Sequence, residues 1–427
     1  MVGFTLFGLM LLLMLMGVPI VFSIGLAAVA ATFVIGSSSP LLIVPSSMFN
    51  GMDSFPLMAV PFFILAGEMM NRGGIAERLV DFANSVVGHI RGGVGHATVV
   101  SNTLLSLDTG SALAQVAAIG KIMIPAMVKQ GYDRNYSTAL VCSASLLGPI
   151  IPPSITMVIY AVAAGASVGQ LFLAGVVPGL LMAGSLMGYV YFRALKEGSK
   201  PTQQFSVMRV VRSARYATLA LLMPFIILGG IFAGVMTPTE SAAIAVLYAG
   251  VVGAFVFRRL TFRDLYECLL STGITTSFIM LIVGAARIFS DLLAAEAVPQ
   301  MIVKQLMSIA SDPVWVMLLV NLLLLVVGCL MDTTAAIIIL TPVLLPAVIQ
   351  AGVDPALFGI VMCLNLTIGM ATPPVGVALY LAAQVGGIRI ENLVRAIWPQ
   401  LLLQVLVLML ITYVPSLSLA LPRWLGY

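Results

Sequence analysis

The sequence predicts an all-α polytopic membrane protein made of two inverted-topology repeats, each carrying one re-entrant helical hairpin and one discontinuous helix. Three observations predict it. Of 427 residues, 61% are hydrophobic and only 8% charged, against roughly 25% charged in a soluble domain. The apolar runs are long, rich in Leu, Ala, Val and Met, and lack the alternation of barrel strands, so helices are the spanning elements. Third, the two halves share a pattern of backbone-shaping residues. The N-terminus has no basic n-region or small-residue cleavage site, so its first apolar run reads as a retained span.

Charge sets the orientation. The densest cluster lies between Arg193 and Arg215, with Lys196, Lys200, Arg209 and Arg212 around Pro201. This linker, 193–215, separates the halves, and its Lys/Arg excess places it in the cytoplasm. Threading outward puts Arg72, Arg78, Arg91, Lys129, Arg134, Arg258, Arg259, Arg263, Arg389 and Arg395 on the same side. Only Lys304 and Arg423 fall outside, with Lys121 and Arg287 inside membrane segments.

The first repeat, 1–192, begins with scaffold helices over 1–90. Its run from Phe4 to Gly36 is too long for one pass at about 1.5 Å per residue. Gly17-Val18-Pro19 divides it into two short passes; one long tilted helix is the alternative. A hairpin (95–128), a broken helix (137–163) and a helix (172–192) follow. The second repeat, 216–427, has scaffold helices over 216–292 with spans 216–235, 238–257 and 266–292. Then come an arm (298–310), a hairpin (313–350), a broken helix (356–384) and a helix (398–420). Segments 75–90 and 298–310 carry apolar residues at helical spacing and read as arm helices along the two interfaces.

A shift of 221 residues aligns 125–165 with 346–386 without gaps, and ten of 41 positions are identical. They include Pro125/Pro346, Gly131/Gly352, Asp133/Asp354, Gly148/Gly369, Pro152/Pro373, Pro153/Pro374 and Gly165/Gly386. Shared hydrophobicity alone would match Leu and Val instead. Upstream, Asp108-Thr109-Gly110-Ser111-Ala112 is echoed by Asp332-Thr333-Thr334-Ala335-Ala336. The flanks of the first copy map inside and those of the second outside. Inverted repeats with a binding site near the midplane are the architecture of secondary transporters.

Each D-T-x-x-A interrupts an apolar run whose two flanks lie on one side, which predicts a hairpin turning at mid-depth. Irregular backbone is tolerated there only when buried in protein or lining a wet cavity. Its turn frees carbonyls at one helix end and N–H groups at the next. Carbonyls with hydroxyls suit a hard cation such as Na⁺, and helix-start amides suit a carboxylate. After each hairpin a helix is broken at its centre, by Gly148-Pro149-Ile150-Ile151-Pro152-Pro153-Ser154 and by Gly369-Met370-Ala371-Thr372-Pro373-Pro374. Paired prolines remove two donors and clash with the preceding turn. Two Na⁺ sites are expected. In the first, Thr109, Gly110 and Ser111 face Ser145, Gly148 and Pro149; in the second, Asp332, Thr333 and Thr334 face Thr367, Gly369 and Thr372. Substrate is expected between the tips, near Asp108, Pro153, Ser154, Arg287 and Pro374. A proline pair can merely kink a helix, but two copies, each beside its own polar interruption, favour the functional reading.

Other features carry less. Arg287 has Asp291 four residues on, an alternative local ion pair. Thr237-Pro238-Thr239-Glu240 reads as a capping box. Glu68 ends an apolar stretch and reads as interfacial. Cys142, Cys268, Cys329 and Cys363 lack metal or redox spacing, and His89 and His96 have no partners for a metal site. Gly165-Ala166-Ser167-Val168-Gly169 matches a hydrolase motif but lacks its strand–turn–helix context and a nearby His. The chain therefore reads as no enzyme.

The chain resembles the large membrane subunit of TRAP (tripartite ATP-independent periplasmic) transporters. The residues that carry this are Gly110-Ser111-Ala112, IPAMVKQGYD (124–133), GPIIPPS (148–154), TPTE (237–240), MDTTAAIIILTPVLLP (331–346) and NLTIGMATPPVG (365–376). The resemblance implies an elevator-type fold similar to that of divalent-anion/sodium symporters. It implies Na⁺-driven import of an organic acid such as a C4-dicarboxylate or sialic acid, with two or more Na⁺ and no other cofactor. The implied partners are a small four-helix membrane subunit and a periplasmic substrate-binding protein, in the bilayer of a bacterial inner membrane, with no nucleic acid. One departure is that Thr109 stands where the family pattern has the first serine of Ser-Gly-Ser-Ala, and Asp108 precedes it. An uncoupled channel or a membrane scaffold subunit is the alternative function.

Overall fold

The structure, a computed structural model, describes residues 2–34, 40–198, 204–309 and 312–427. Residues 35 and 36 of the predicted first run, 199–203 of the predicted linker and 310 of the predicted arm lie outside the described residues. The described residues form helices throughout. In the first half these are α1 (Val2–Leu15), α2 (Ile20–Val34), α3 (Pro40–Met52), α4 (Ala59–Arg72), α5 (Ile75–Val87), α6 (Gly93–Thr109), α7 (Ala112–Lys129), α8 (Arg134–Ser145), α9 (Ile155–Ala164) and α10 (Val168–Lys196). The second half has α11 (Val207–Phe232), α12 (Pro238–Val251), α13 (Phe262–Ala295), α14 (Val298–Ile309), α15 (Pro313–Leu330), α16 (Thr333–Gln350), α17 (Pro355–Gly369), α18 (Val377–Gly386), α19 (Ile390–Tyr413) and α20 (Ser416–Trp424). Among them α7, α10, α11, α12 with its π-turn, α13, α15, α16 and α19 are long and apolar enough to cross a membrane.

The N-terminal run forms two helices that pack on each other, α1 and α2, separated at Gly17-Val18-Pro19. Gly17 takes the left-handed φ of 82° that the turn needs. A bend not anticipated from sequence falls at Asp53-Ser54, where the chain turns by 65° between 44–52 and 55–72. The basic stretch 193–215 differs from a plain linker. Helix α10 runs on to Lys196, and α11 starts at Val207 behind the N-cap Ser206. Arg193 and Lys196 sit in the last turn of α10, where cations complement the helix dipole. The expected final helix is two, because Val414-Pro415 breaks it between α19 and α20.

Two helices are enclosed along almost their whole length. Every residue of α17 from Ala356 to Gly369 and of α8 from Tyr136 to Ser145 is buried. These are the first segments of the two broken helices. The second segments cross between halves: α9 packs on α16 and α17, and α18 packs on α7 and α8. Tyr160 of α9 donates to the Pro355 carbonyl of α17 at 2.7 Å, and its ring fills the space beside Gly359. The two halves are thus interlocked through their broken helices.

Candidate functional site

Each helix pair is joined by a turn of only two residues. Between α6 and α7 only Gly110 and Ser111 intervene; Gly110 takes a left-handed φ of 56°, and Ser111 caps α7 by accepting from the Ala114 N–H at 3.4 Å. Between α15 and α16 lie Met331 and Asp332, and Asp332 caps α16 by accepting from the Thr334 N–H at 2.8 Å. Short polar N-caps are what let a new helix start directly after the turn.

Each turn sits against a proline break. A Cβ placed on Gly110 would lie 3.0 Å from the Pro153 carbonyl oxygen, and one on Gly148 would lie 3.0 Å from the Ser111 carbonyl carbon. In the second half the Gly376 N–H donates to the Cys329 carbonyl at 3.3 Å. Both breaks contain a cis Pro–Pro bond, at 152–153 and 373–374. In the first break the Pro149 carbonyl accepts from Ser154 and, at 2.9 Å, from Thr156. Asparagines fasten the hairpins to the broken helices. Ser145 donates to Asn102 Oδ1 at 3.1 Å, and Asn365 donates to Asn321 Oδ1 at 2.8 Å.

A cavity of about 530 Å³ opens where the two turns approach. Thr109, Gly110, Ser111 and Pro149 line it from the first half; Asp332, Thr333 and Thr334 line it from the second. The starts of α7, α9 and α16 all reach its wall, through Ala112, Ile155 and Thr333. Their free amide groups give that wall a positive partial charge.

The other expected site residues lie behind or beyond the wall. Ser145, Gly148, Thr367 and Gly369 are buried in the helix layer beneath the turns. The Thr367 and Thr372 hydroxyls donate within their own chain segment, to Cys363 at 2.6 Å and Ile368 at 2.9 Å. Gly369 is pressed against Gly328. Pro153 and Ser154 are buried in the first break, whereas Pro374 in the second is exposed. Asp108 is 3% exposed, and neither carboxylate oxygen has a hydrogen-bond partner among the described residues. It is absent from the cavity wall. Arg287 also lies off the wall. It packs beside Gly51 of α3 and pairs with Asp291 at 3.1 Å.

Sequence reasoning missed an entire side of the cavity. Ile64, Gly67, Glu68 and Asn71 of α4 and Ile274, Thr275, Phe278, Ile279 and Ile282 of α13 complete it. Glu68 was visible as an acid ending an apolar run. The apolar residues of α13 carry no signal that separates a cavity wall from a lipid-facing one. Thr237 and Glu240 form the expected capping box, with reciprocal bonds of 3.2 and 2.7 Å, away from this site.

Residues 7–417 match the family described as Tripartite ATP-independent periplasmic transporter, DctM component. The chain belongs to this family. The permease is 39% identical over 434 residues to the C4-dicarboxylate TRAP transporter large permease protein DctM of Rhodobacter capsulatus, covering 98% of each chain. It is 40% identical to the sialic acid TRAP transporter large permease protein SiaM of Vibrio cholerae, covering 97% of each. It is also 42% identical to the isethionate TRAP transporter permease protein DctMQ of Oleidesulfovibrio alaskensis. That match covers 97% of the permease but 65% of the relative's length. The permease is accordingly a multi-pass inner-membrane transport protein and not an enzyme. Among solved structures its fold is similar to the Alcanivorax borkumensis YdaH transporter, with a TM-score of 0.58 at 14% identity, covering 91% of this chain and 90% of that one. The Neisseria gonorrhoeae MtrF pump gives 0.55 at 13%, covering 88% and 84%. These identities speak for the fold alone.

Proposed function

We propose that the permease carries out Na⁺-coupled uptake of a carboxylate-bearing solute through the cavity between the two turns. A periplasmic substrate-binding protein delivers the solute, and a small four-helix membrane subunit completes the transporter. The named relatives act on C4-dicarboxylate, sialic acid and isethionate, all small organic acids.

The observation that carries the reading is the meeting of the two turns. By the charge map, the flanks of α6–α7 lie inside and those of α15–α16 outside. Had each pair crossed the bilayer in full, the turns would sit at opposite membrane faces. Instead Thr109–Ser111 and Asp332–Thr334 line one cavity, which supports two re-entrant hairpins meeting at mid-depth. Hydroxyls and freed carbonyls of Thr109, Ser111, Pro149, Thr333 and Thr334 offer oxygen ligands for Na⁺. With those cations in place, the helix-start amides hold the solute's carboxylate. The hairpins and broken helices, fastened together by Asn102 and Asn321, move as one body against the remaining helices in an elevator cycle.

The test is uptake by the complete transporter in proteoliposomes against an outward solute gradient. An inward Na⁺ gradient should drive accumulation, and Ser111→Ala or Thr334→Ala should raise the Na⁺ needed for half-maximal rate. Uptake that ignores the Na⁺ gradient would sink the coupling, and purely downhill flux would leave a channel.

A further inference from the structure

We infer that Glu68 selects the solute: the cavity takes singly charged acids whose remaining polar groups are hydrogen-bond donors, hydroxyl or ammonium, and excludes dicarboxylates. This rests on the cavity being the solute site. Its described wall contains two acids, Glu68 and Asp332, and no Lys, Arg or His. Asp332 is already engaged, capping α16 through the Thr334 N–H at 2.8 Å. Glu68 is not. Among the described residues its one hydrogen bond is a long one, from Ser271 Oγ at 3.4 Å. The base one helical turn away, Arg72, is turned to α13, where it is bonded to Glu267 and lies 3.8 Å from Asp264.

An ionised carboxylate only accepts hydrogen bonds, so its complement on the solute must donate. Ile64, Ile274 and Phe278 add apolar surface to the same wall, which strengthens both attraction to a donor and repulsion of a second anion. The amides at the starts of α7, α9 and α16 provide for one carboxylate. The coupling cations and these amides serve the first carboxylate, and a dicarboxylate would bring its second charge against a described wall whose only charged side chains are Glu68 and Asp332. A hydroxylated monoacid instead uses Glu68 as acceptor, with Asn71 and Thr275 offering further polar groups on the same wall. A site that hydrogen-bonds its ligand discriminates strongly, because the wrong ligand leaves a buried polar group unpaired.

The test compares gluconate with glucarate, the same six-carbon polyol bearing a second carboxylate, and with succinate. Binding to the full permease with its small subunit in nanodiscs is measured in saturating Na⁺. The wild type should bind gluconate at least tenfold more tightly than either diacid. Glu68→Gln should shrink that gap to threefold or less, and Glu68→Asp, which keeps the charge, should preserve it. Equal or tighter binding of glucarate or succinate, no binding of gluconate, or a gap that survives Glu68→Gln overturns the inference. So does a Glu68→Gln change confined to the Na⁺ requirement, which would make Glu68 a cation ligand. Ala114→Trp, which fills the cavity, separates the two levels. If it leaves all binding intact, the cavity is not the solute site and the functional proposal falls. If it abolishes binding while Glu68→Gln leaves the gap, only this inference falls.

Discussion

Gly328 and Gly369 meet backbone to backbone: a Cβ on Gly369 would lie 2.5 Å from both the Cα and the carbonyl carbon of Gly328. Helix α15 therefore touches α17 with nothing between them. Gly369→Ala should push the helices apart at a cost of about 1–3 kcal/mol, typical of overpacking. A lower thermal midpoint of the purified protein checks this, and an unchanged midpoint would show that the contact gives way freely.

Asn365 and Asn321 predict a second effect. Asn365 Nδ2 donates to both the side chain and the backbone carbonyl of Asn321, at 2.8 and 3.0 Å, in a buried setting. Asn365→Leu removes both donors and strands Asn321 Oδ1, at about 1–3 kcal/mol. Replacing both residues with Leu should cost less than the sum of the two single changes. A double-mutant cycle on unfolding measures the difference, and strict additivity would rule out the coupling.

Gly110 is constrained twice, by its left-handed φ of 56° and by the Pro153 carbonyl 3.0 Å from where a Cβ would stand. Gly110→Ala should cost about 1–2 kcal/mol from the backbone conformation alone. It should also displace Ser111 from the first break. Transport should fall even where the protein remains folded, read as uptake rate per correctly inserted molecule.

Asp81 gives a pH-dependent prediction outside the membrane-spanning helices. Burial, and secondly the charge of Glu77, hold its carboxyl above the usual carboxylate range. A raised acid pKa means that ionisation costs the folded state stability. The penalty is absent below the unfolded value of about 3.9 and complete above the folded one. Asp81→Asn should thus raise the thermal midpoint at pH 7, and the advantage should shrink as pH falls toward about 4. A variant less stable than wild type at pH 7 would contradict this.

What could be read in the sequence was whatever bends backbone. Pro152-Pro153, Pro373-Pro374, Gly110 and the caps Ser111 and Asp332 mark their positions because few residues can occupy such geometry, and repetition doubled the signal. The far wall was hidden for the opposite reason. Ile274, Phe278 and Ile282 look alike facing lipid, a neighbouring helix or a chamber, and only the packing of α13 against α4 and α16 decides among these. The bend at Asp53-Ser54 did carry a signal, since Ser54 is the N-cap of the segment that follows and Pro56 stands in its first turn. Arg287 illustrates the converse, a conspicuous charge whose partner, Asp291, lies on its own helix.

The seam between α4 and the first turn has one more property. Gly67 faces the Asp108 carbonyl, and a Cβ there would stand only 3.2 Å from that oxygen. The Cα and Cβ of Thr109 would stand 3.3 and 3.8 Å from that Cβ, so the seam has no room for a side chain at position 67. Position 67 is thus a clearance with no slack, and any larger residue there would have to displace the first turn.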